Sequence, residues 1–268
     1  MLDQGKHNLL GVGVNAVDYA GAVDRIISAA REQRPLAVSA LAVHGVMTGV
    51  LDSAHRYRLN SLDLVCPDGQ PVRWGLNLLH GAGLSERVYG PQLMLEVCRA
   101  AADNELPIFL FGGDERLLNL LSMKLLEQLP ALRIAGAKSS QFRRLSKVEW
   151  RELMAEVRGS GARIAFVGLG CPRQEVFVFE AREALAMPTL AVGAAFNFHS
   201  GLLPQAPHVL QRWGLEWLYR LVQEPRRLWR RYVLLNPAYL ALLAAQKLGL
   251  RRFDREQLAP PEASILYG

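Results

Sequence analysis

Cysteine is scarce in this 268-residue chain, and Cys66, Cys98 and Cys171 stand far apart. Three such residues build neither a disulfide framework nor a zinc cluster, and a reducing compartment fits their use. The six histidines include no HxxxH or HxH spacing, so no metal site is expected from them. Asp-x-Asp is missing too, which removes the usual manganese–nucleotide clamp. Neither a Walker loop nor a Gly-x-Ser-x-Gly elbow occurs, and no cysteine has an adjacent base, which argues against nucleophilic hydrolysis. Met1 to Asn8 is polar, so no signal peptide is expected. No apolar run reaches the roughly 18–20 residues needed to span a bilayer. The nearest approach, Val233 to Leu250, is interrupted by Asn236, Pro237, Gln246 and Lys247.

What is present is ordinary globular composition, 50% hydrophobic, 21% charged and 8% aromatic. Collagen-like, disordered and disulfide-scaffold classes drop out. At this length one large domain, or one domain with an appendage, is expected. The net charge of +6 is unevenly spread. Arg212 to Arg252 holds nine Lys or Arg against two acids, Glu216 and Glu224, a local balance of +7 that leaves the rest at −1. A basic block of this kind meets phosphate, whether on nucleic acid, an anionic membrane or a phosphorylated substrate.

Short apolar runs at 9–15, 36–43, 62–66, 107–112, 132–137, 163–168 and 189–193 read as strands. Amphipathic segments at 19–33, 91–104, 115–128, 147–160 and 174–185 alternate with them. That rhythm predicts an α/β fold, a Rossmann-like, largely parallel sheet with helices on both faces. Beyond Gly193 it gives way to helical patterns, with Pro225 and Pro237 as breaks or first-turn residues. The expected division is an α/β core over 1–205, a basic helical appendage over 206–252 and a flexible tail over 253–268.

Ligands of open α/β sheets bind beyond the carboxyl ends of strands, so the turns there carry the candidates. Pro67-Asp68-Gly69-Gln70 puts an acid at a strand end, where it can act as a base, bind a sugar hydroxyl, or simply cap the next helix. Gly168-Leu169-Gly170-Cys171-Pro172-Arg173-Gln174-Glu175 offers an anion-binding turn, or a plain strand-to-helix connection. Gly112-Gly113-Asp114 reads first as punctuation. In residues 215–232, Leu215, Leu218, Leu221 and Val222 form an apolar stripe with Trp217, beside Arg220, Arg227, Arg230 and Arg231. Guanidinium forks pair with phosphate oxygens, so this helix suits a diphosphate; a solvated basic face is the bland alternative.

Taken together, PDGQPVRW (67–74), ERVYG (86–90), VGLGCPRQE (167–175), VGAAFNFHSG (192–201) and LEWLYRLVQEPRRLWRRY (215–232) resemble the WecG/TagA/CpsF family of bacterial glycosyltransferases. The likeness runs from about residue 9 to about 250 in the family's order. It implies inverting transfer of a sugar from a UDP-sugar to an undecaprenyl-diphosphate-linked saccharide in exopolysaccharide, capsule or cell-wall polymer synthesis. It also implies no metal or other cofactor, and a peripheral place on the cytoplasmic face of the inner membrane. Carried over by motif, Asp68 is the candidate base, and Gln174 and Glu175 contact nucleotide or sugar. Arg87 lies in a site motif, and Arg220, Arg227 and Arg230 are diphosphate ligands. Gly168, Gly170, Arg173 and Asn197 complete the candidate substrate-binding set. The chain departs from the family at Leu41, Gln92 and Asn197, where Asn, Asp and Asp are usual. Asp68 is then the main surviving carboxylate of the matched motifs. The expected partners are the donor, the lipid-linked acceptor and an anionic membrane surface, with no nucleic acid. A Rossmann oxidoreductase is the rival enzyme, although Gly11-Val12-Gly13-Val14-Asn15-Ala16 lacks the third glycine of its fingerprint. A membrane-surface adaptor using the basic helices alone is the non-enzymatic rival.

Overall fold

The structure is a computed structural model describing residues 1–207, 209–210, 213–255 and 258–268, the side chains of Arg227, Arg230 and Arg231 excepted. Six of the apolar runs become β3 (Leu36–Leu41), β4 (Leu64–Pro67), β5 (Ile108–Gly112), β6 (Ile134–Lys138), β7 (Ile164–Gly168) and β8 (Pro188–Ala191). They form one parallel sheet in the order β4-β3-β8-β7-β5-β6. Val38, Leu64, Cys66, Leu110, Phe166 and Leu190 face one layer, while Ala37, Leu41, Val65, Phe111, Val167 and Ala191 face the other. The period of two along each strand thus feeds two separate cores, as a sheet covered on both faces requires.

One layer consists of α1 (Tyr19–Arg31), α5 (Gly90–Asp103), α6 (Glu115–Gln128) and α9 (Ala195–His199). The other holds α2 (Val43–Leu51), α3 (Ser53–Ser61), α4 (Gln70–His80), α7 (Lys147–Gly159) and α8 (Arg173–Ala181). Caps fix several of the starts. The Asp18 carboxylate accepts the Gly21 N–H at 2.7 Å ahead of α1, and Ser146 forms a capping box with Glu149 ahead of α7.

The run at 9–15 is a correction. It is the turn and second strand of an antiparallel hairpin, β1 (Asp3–Leu9) and β2 (Val12–Val17), outside the parallel sheet. Leu10 and Gly11 both take positive φ, +56° and +83°, as a two-residue hairpin turn demands. The hairpin docks beside edge strand β4, where the Val65 N–H donates to Asn15 Oδ1 at 2.8 Å. A dinucleotide fingerprint needs a strand-to-helix turn at this point. The hairpin removes that context, and with it the oxidoreductase reading.

The C-terminal segment contains α10 (Glu216–Gln223), α11 (Pro225–Arg230), a π-helical turn (Arg231–Leu235) and α12 (Asn236–Lys247). The last of these is part of the body. Tyr239 is fully buried and donates to the Pro71 carbonyl at 2.9 Å; Gln246 accepts the Leu10 N–H at 3.0 Å. A Cβ at Gly75 would fall 2.6 Å from the Tyr239 hydroxyl, so the glycine allows α4 and α12 to close on one another. Among the described residues no helix is long and apolar enough to cross a membrane. The tail, expected to be flexible, is tied down along the body. Its Ala263 carbonyl accepts from Arg58 at 3.3 Å, and Tyr267 forms an antiparallel bridge with Arg144.

Candidate active site

The turns leaving β3, β4, β5, β7 and β8 line one cavity of about 690 Å³. Asp68 enters it from β4. Its backbone N–H is held by the Leu41 carbonyl at 3.1 Å and the Cys66 carbonyl at 3.0 Å. The cap position of α4 belongs to Gly69, at φ +101°, so Asp68 stands one residue too early to cap its own helix. Its carboxylate instead accepts the N–H of Gly90, the first residue of α5. A Cβ on Gly90 would lie 3.0 Å from the Val192 carbonyl and 3.5 Å from Asp68 Oδ2. Glycine lets that helix start come so close.

Charged groups from three directions surround this carboxylate. Burial pushes Asp68 up from the ordinary 3.8 to about 7, Arg87 pulls it down, and Glu216 adds to the rise. The Gly90 N–H and Arg220 also favour the charged form. Glu216, at the start of α10, makes a nearly buried ion pair with Arg87. The Arg87 guanidinium lies 4.2 Å over the Tyr89 ring, and the Tyr89 N–H donates to the Tyr19 hydroxyl at 2.8 Å. Burial works against the charge of Arg87, but the carboxylates of Asp68 and Glu216 outweigh it and hold its pKa above the usual value. Arg220, one turn along α10, rests 5.5 Å over the Phe198 ring, and its buried Nε has no hydrogen-bond partner. The basic segment therefore folds back over the strand ends, fastened by Glu216.

The turn after β7 is stitched to the turn after β8. Gln174 Oε1 accepts from the N–H groups of Gly170 and Gly193, both at 3.1 Å. Its amide nitrogen donates to Glu175 Oε1 at 2.9 Å, which also accepts from Ser39 Oγ at 3.2 Å. These bonds commit the Gln174 side chain and the Gly170 N–H within the protein, while the buried Glu175 Oε2 is left without a partner. Burial raises the Glu175 pKa above its usual value. Arg173 is exposed and donates to the Phe142 carbonyl at 3.1 Å. Gly168 closes against the Phe196 ring, which would sit 2.6 Å from any Cβ there.

Asp68, Gly168, Gly170, Arg173, Gln174, Glu175, Asn197 and Arg220 thus share one cavity. Arg87 lines an adjoining cavity of about 1040 Å³, in company with Tyr89, Gln92, Glu96 and His199, and Leu203 borders both. Gln92 donates to Glu96 Oε1 at 2.6 Å, and Leu41 lines the first cavity. The side chains of Arg227 and Arg230 lie outside the described residues. Sequence reasoning missed Glu216, Tyr89 and Tyr19. Glu216 had a signal, being one of only two acids in the most basic stretch, and Tyr89 had one in its place within ERVYG; Tyr19 had none.

Among the described residues no three His, Cys, Asp or Glu side chains converge to hold a metal ion. An α/β sheet with a carboxylate and arginines gathered at its strand ends is the framework of a group-transferring enzyme. The chain belongs to the WecG/TagA/CpsF family of glycosyl transferases, whose family model matches residues 7–253.

Proposed function

We propose that the protein is a metal-independent, inverting glycosyltransferase that moves a sugar from a UDP-sugar to a polyprenyl-diphosphate-linked saccharide. The observation that carries this reading is Asp68, a half-buried carboxylate at a strand end whose pKa is pushed up to about 7. A base poised near neutrality can both exist as carboxylate and accept a proton. Asp68 takes the proton from an acceptor hydroxyl while that oxygen bonds to the anomeric carbon. The carbon–oxygen bond to UDP breaks on the opposite face, and the diphosphate leaves with the electron pair. Its growing charge meets the Arg220 guanidinium, which lines the same cavity as Asp68. The 690 Å³ cavity takes the donor, and the adjoining 1040 Å³ cavity takes the acceptor saccharide.

Exposed Trp213, Trp217, Val222, Trp229, Val233 and Leu234 crowd the same C-terminal segment that carries Arg251 and Arg252. Apolar and basic groups together suit the surface of an anionic membrane, at the cytoplasmic face in this reading. Lys247 contributes less, because its ammonium is tied to the Leu78 carbonyl at 2.7 Å. A chain cut near Gln205 would strip Tyr239 and Leu243 from the core, so point variants make the better test. Asp68→Ala and Asp68→Asn, assayed with a UDP-sugar, a lipid-linked acceptor and EDTA, should each lose about 10²–10⁴-fold in turnover. Near-normal turnover in both removes the base assignment.

A further inference from the structure

Phe142 is an exposed aromatic ring on the wall of the donor cavity, and the proton-transfer chemistry leaves it without a task. It lies between β6 and α7 with φ +52°, a left-handed backbone that bulky residues rarely adopt. Such a conformation persists only where neighbouring contacts impose it. Here the contacts come from two sides. The Phe142 N–H donates to Ser140 Oγ at 2.9 Å, and its carbonyl accepts from Arg173 at 3.1 Å. The next residues pair with the end of the chain: Arg143 N–H to the Gly268 carbonyl at 3.2 Å, Gly268 N–H to the Arg143 carbonyl at 3.0 Å, and Leu145 N–H to the Leu266 carbonyl at 2.7 Å. Tyr267 completes the strap, its ring 5.6 Å beneath the Arg173 guanidinium. Residues 266–268 lie beyond the 7–253 segment that matches the family.

The topology says what such a ring could meet. A nucleoside diphosphate sugar is linear, running from sugar through diphosphate and ribose to base. Asp68 follows β4 at one edge of the sheet, and Phe142 follows β6 at the other. With the sugar at Asp68 and the diphosphate near Arg220, the base extends toward the β6 edge. Every nucleobase has a π-face that stacks on an aromatic ring. We propose that Phe142 is the stacking platform for the donor's nucleobase, and that Arg173 and the segment at 266–268 are the strap that positions it. This rests on the transferase reading above. It gives Arg173 a positioning role in place of direct phosphate binding.

Calorimetric titration of the full chain with UDP, and separately with inorganic diphosphate, tests the platform. Phe142→Gly removes the ring yet suits the positive φ, so the loop keeps its shape. It should weaken UDP binding by about tenfold or more and leave diphosphate binding unchanged. Phe142→Tyr should restore UDP affinity. Tyr267→Ala should cost part of that affinity in the wild-type background and nothing further in Phe142→Gly. Phe142→Gly that binds UDP as tightly as wild type overturns the platform alone, as does an equal loss for UDP and diphosphate. A wild-type chain that binds neither UDP nor any UDP-sugar overturns the transferase reading, and the platform with it.

Discussion

Asp68 and Asp114 occupy the same kind of position, each an acid beside glycine in the turn after a parallel strand, and both line the 690 Å³ cavity. Their carboxylates nevertheless go to different places. Asp114 is the N-cap of α6 and accepts the Leu117 N–H at 2.7 Å. Asp68 precedes the N-cap of α4 by one residue, and its carboxylate crosses to α5 and the Arg87–Glu216 pair. Gly69 fills the cap position, and Pro71 in the first turn has no N–H to offer a cap in any case. One residue of register separates an acid that caps its own helix from one that faces the Arg87–Glu216 pair. The helix that follows sets the role, through what it asks of its first turn.

Activity is where the two acids should differ most. Asp68→Asn keeps shape and loses the base, for a fall of about 10²–10⁴-fold in kcat. Asp114→Asn keeps a competent cap, since Asn caps as well as Asp, and should leave kcat within about twofold. Steady-state rates with a lipid-linked acceptor decide the matter, and comparable losses at both positions would end the distinction.

The pH profile is the next difference. As the proposed base Asp68 must be ionised, and its pKa of about 7 then places an acid limb in kcat/KM near pH 7, with activity falling below it. Glu216→Gln removes a carboxylate that adds to the rise and releases Arg87 toward Asp68. The limb should then move down by roughly one pH unit. Asp114→Asn should leave it in place. A limb indifferent to Glu216 would mean that α10 does not tune Asp68.

Much of this molecule was legible beforehand, and the gaps have physical causes. The parallel sheet and five of its helices follow from short apolar runs and amphipathic patterning, at 36–43 and 115–128 for example. The hairpin escaped because Leu9 to Asn15 reads as one apolar run, and only the positive φ at Leu10 and Gly11 breaks it. Helices α2 and α3 escaped as well, since α2 is almost uniformly apolar and α3 almost uniformly polar, leaving no stripe to detect. The motif turns line one cavity, but the motifs did not assign duties within it. Gln174 and Arg173 looked like ligand contacts, yet Gln174 joins two turns and Arg173 holds a loop carbonyl. Gly193 and Phe142 are distant in sequence from these side chains, so no local pattern announces those bonds.

Stability is the smallest expected difference, and its sign separates the two acids. Folding raises the pKa of Asp68, so the folded chain holds that proton more tightly than the unfolded one. The resulting stabilisation is complete below the unfolded value near 3.8 and is lost as pH rises through about 7. At pH 8 the ionised, half-buried group is a burden, and Asp68→Asn should raise Tm, with the gain vanishing near pH 4. Asp114→Ala removes a cap worth about 1 kcal/mol and should lower Tm by roughly 2–4 °C. That loss should persist at pH 8, where the gain at Asp68 is greatest. Calorimetric melting at the two pH values reads both effects. A base kept in an unfavourable setting gains stability when neutralised, and a cap loses it when removed, so shifts of the same sign would show that the two carboxylates do one job.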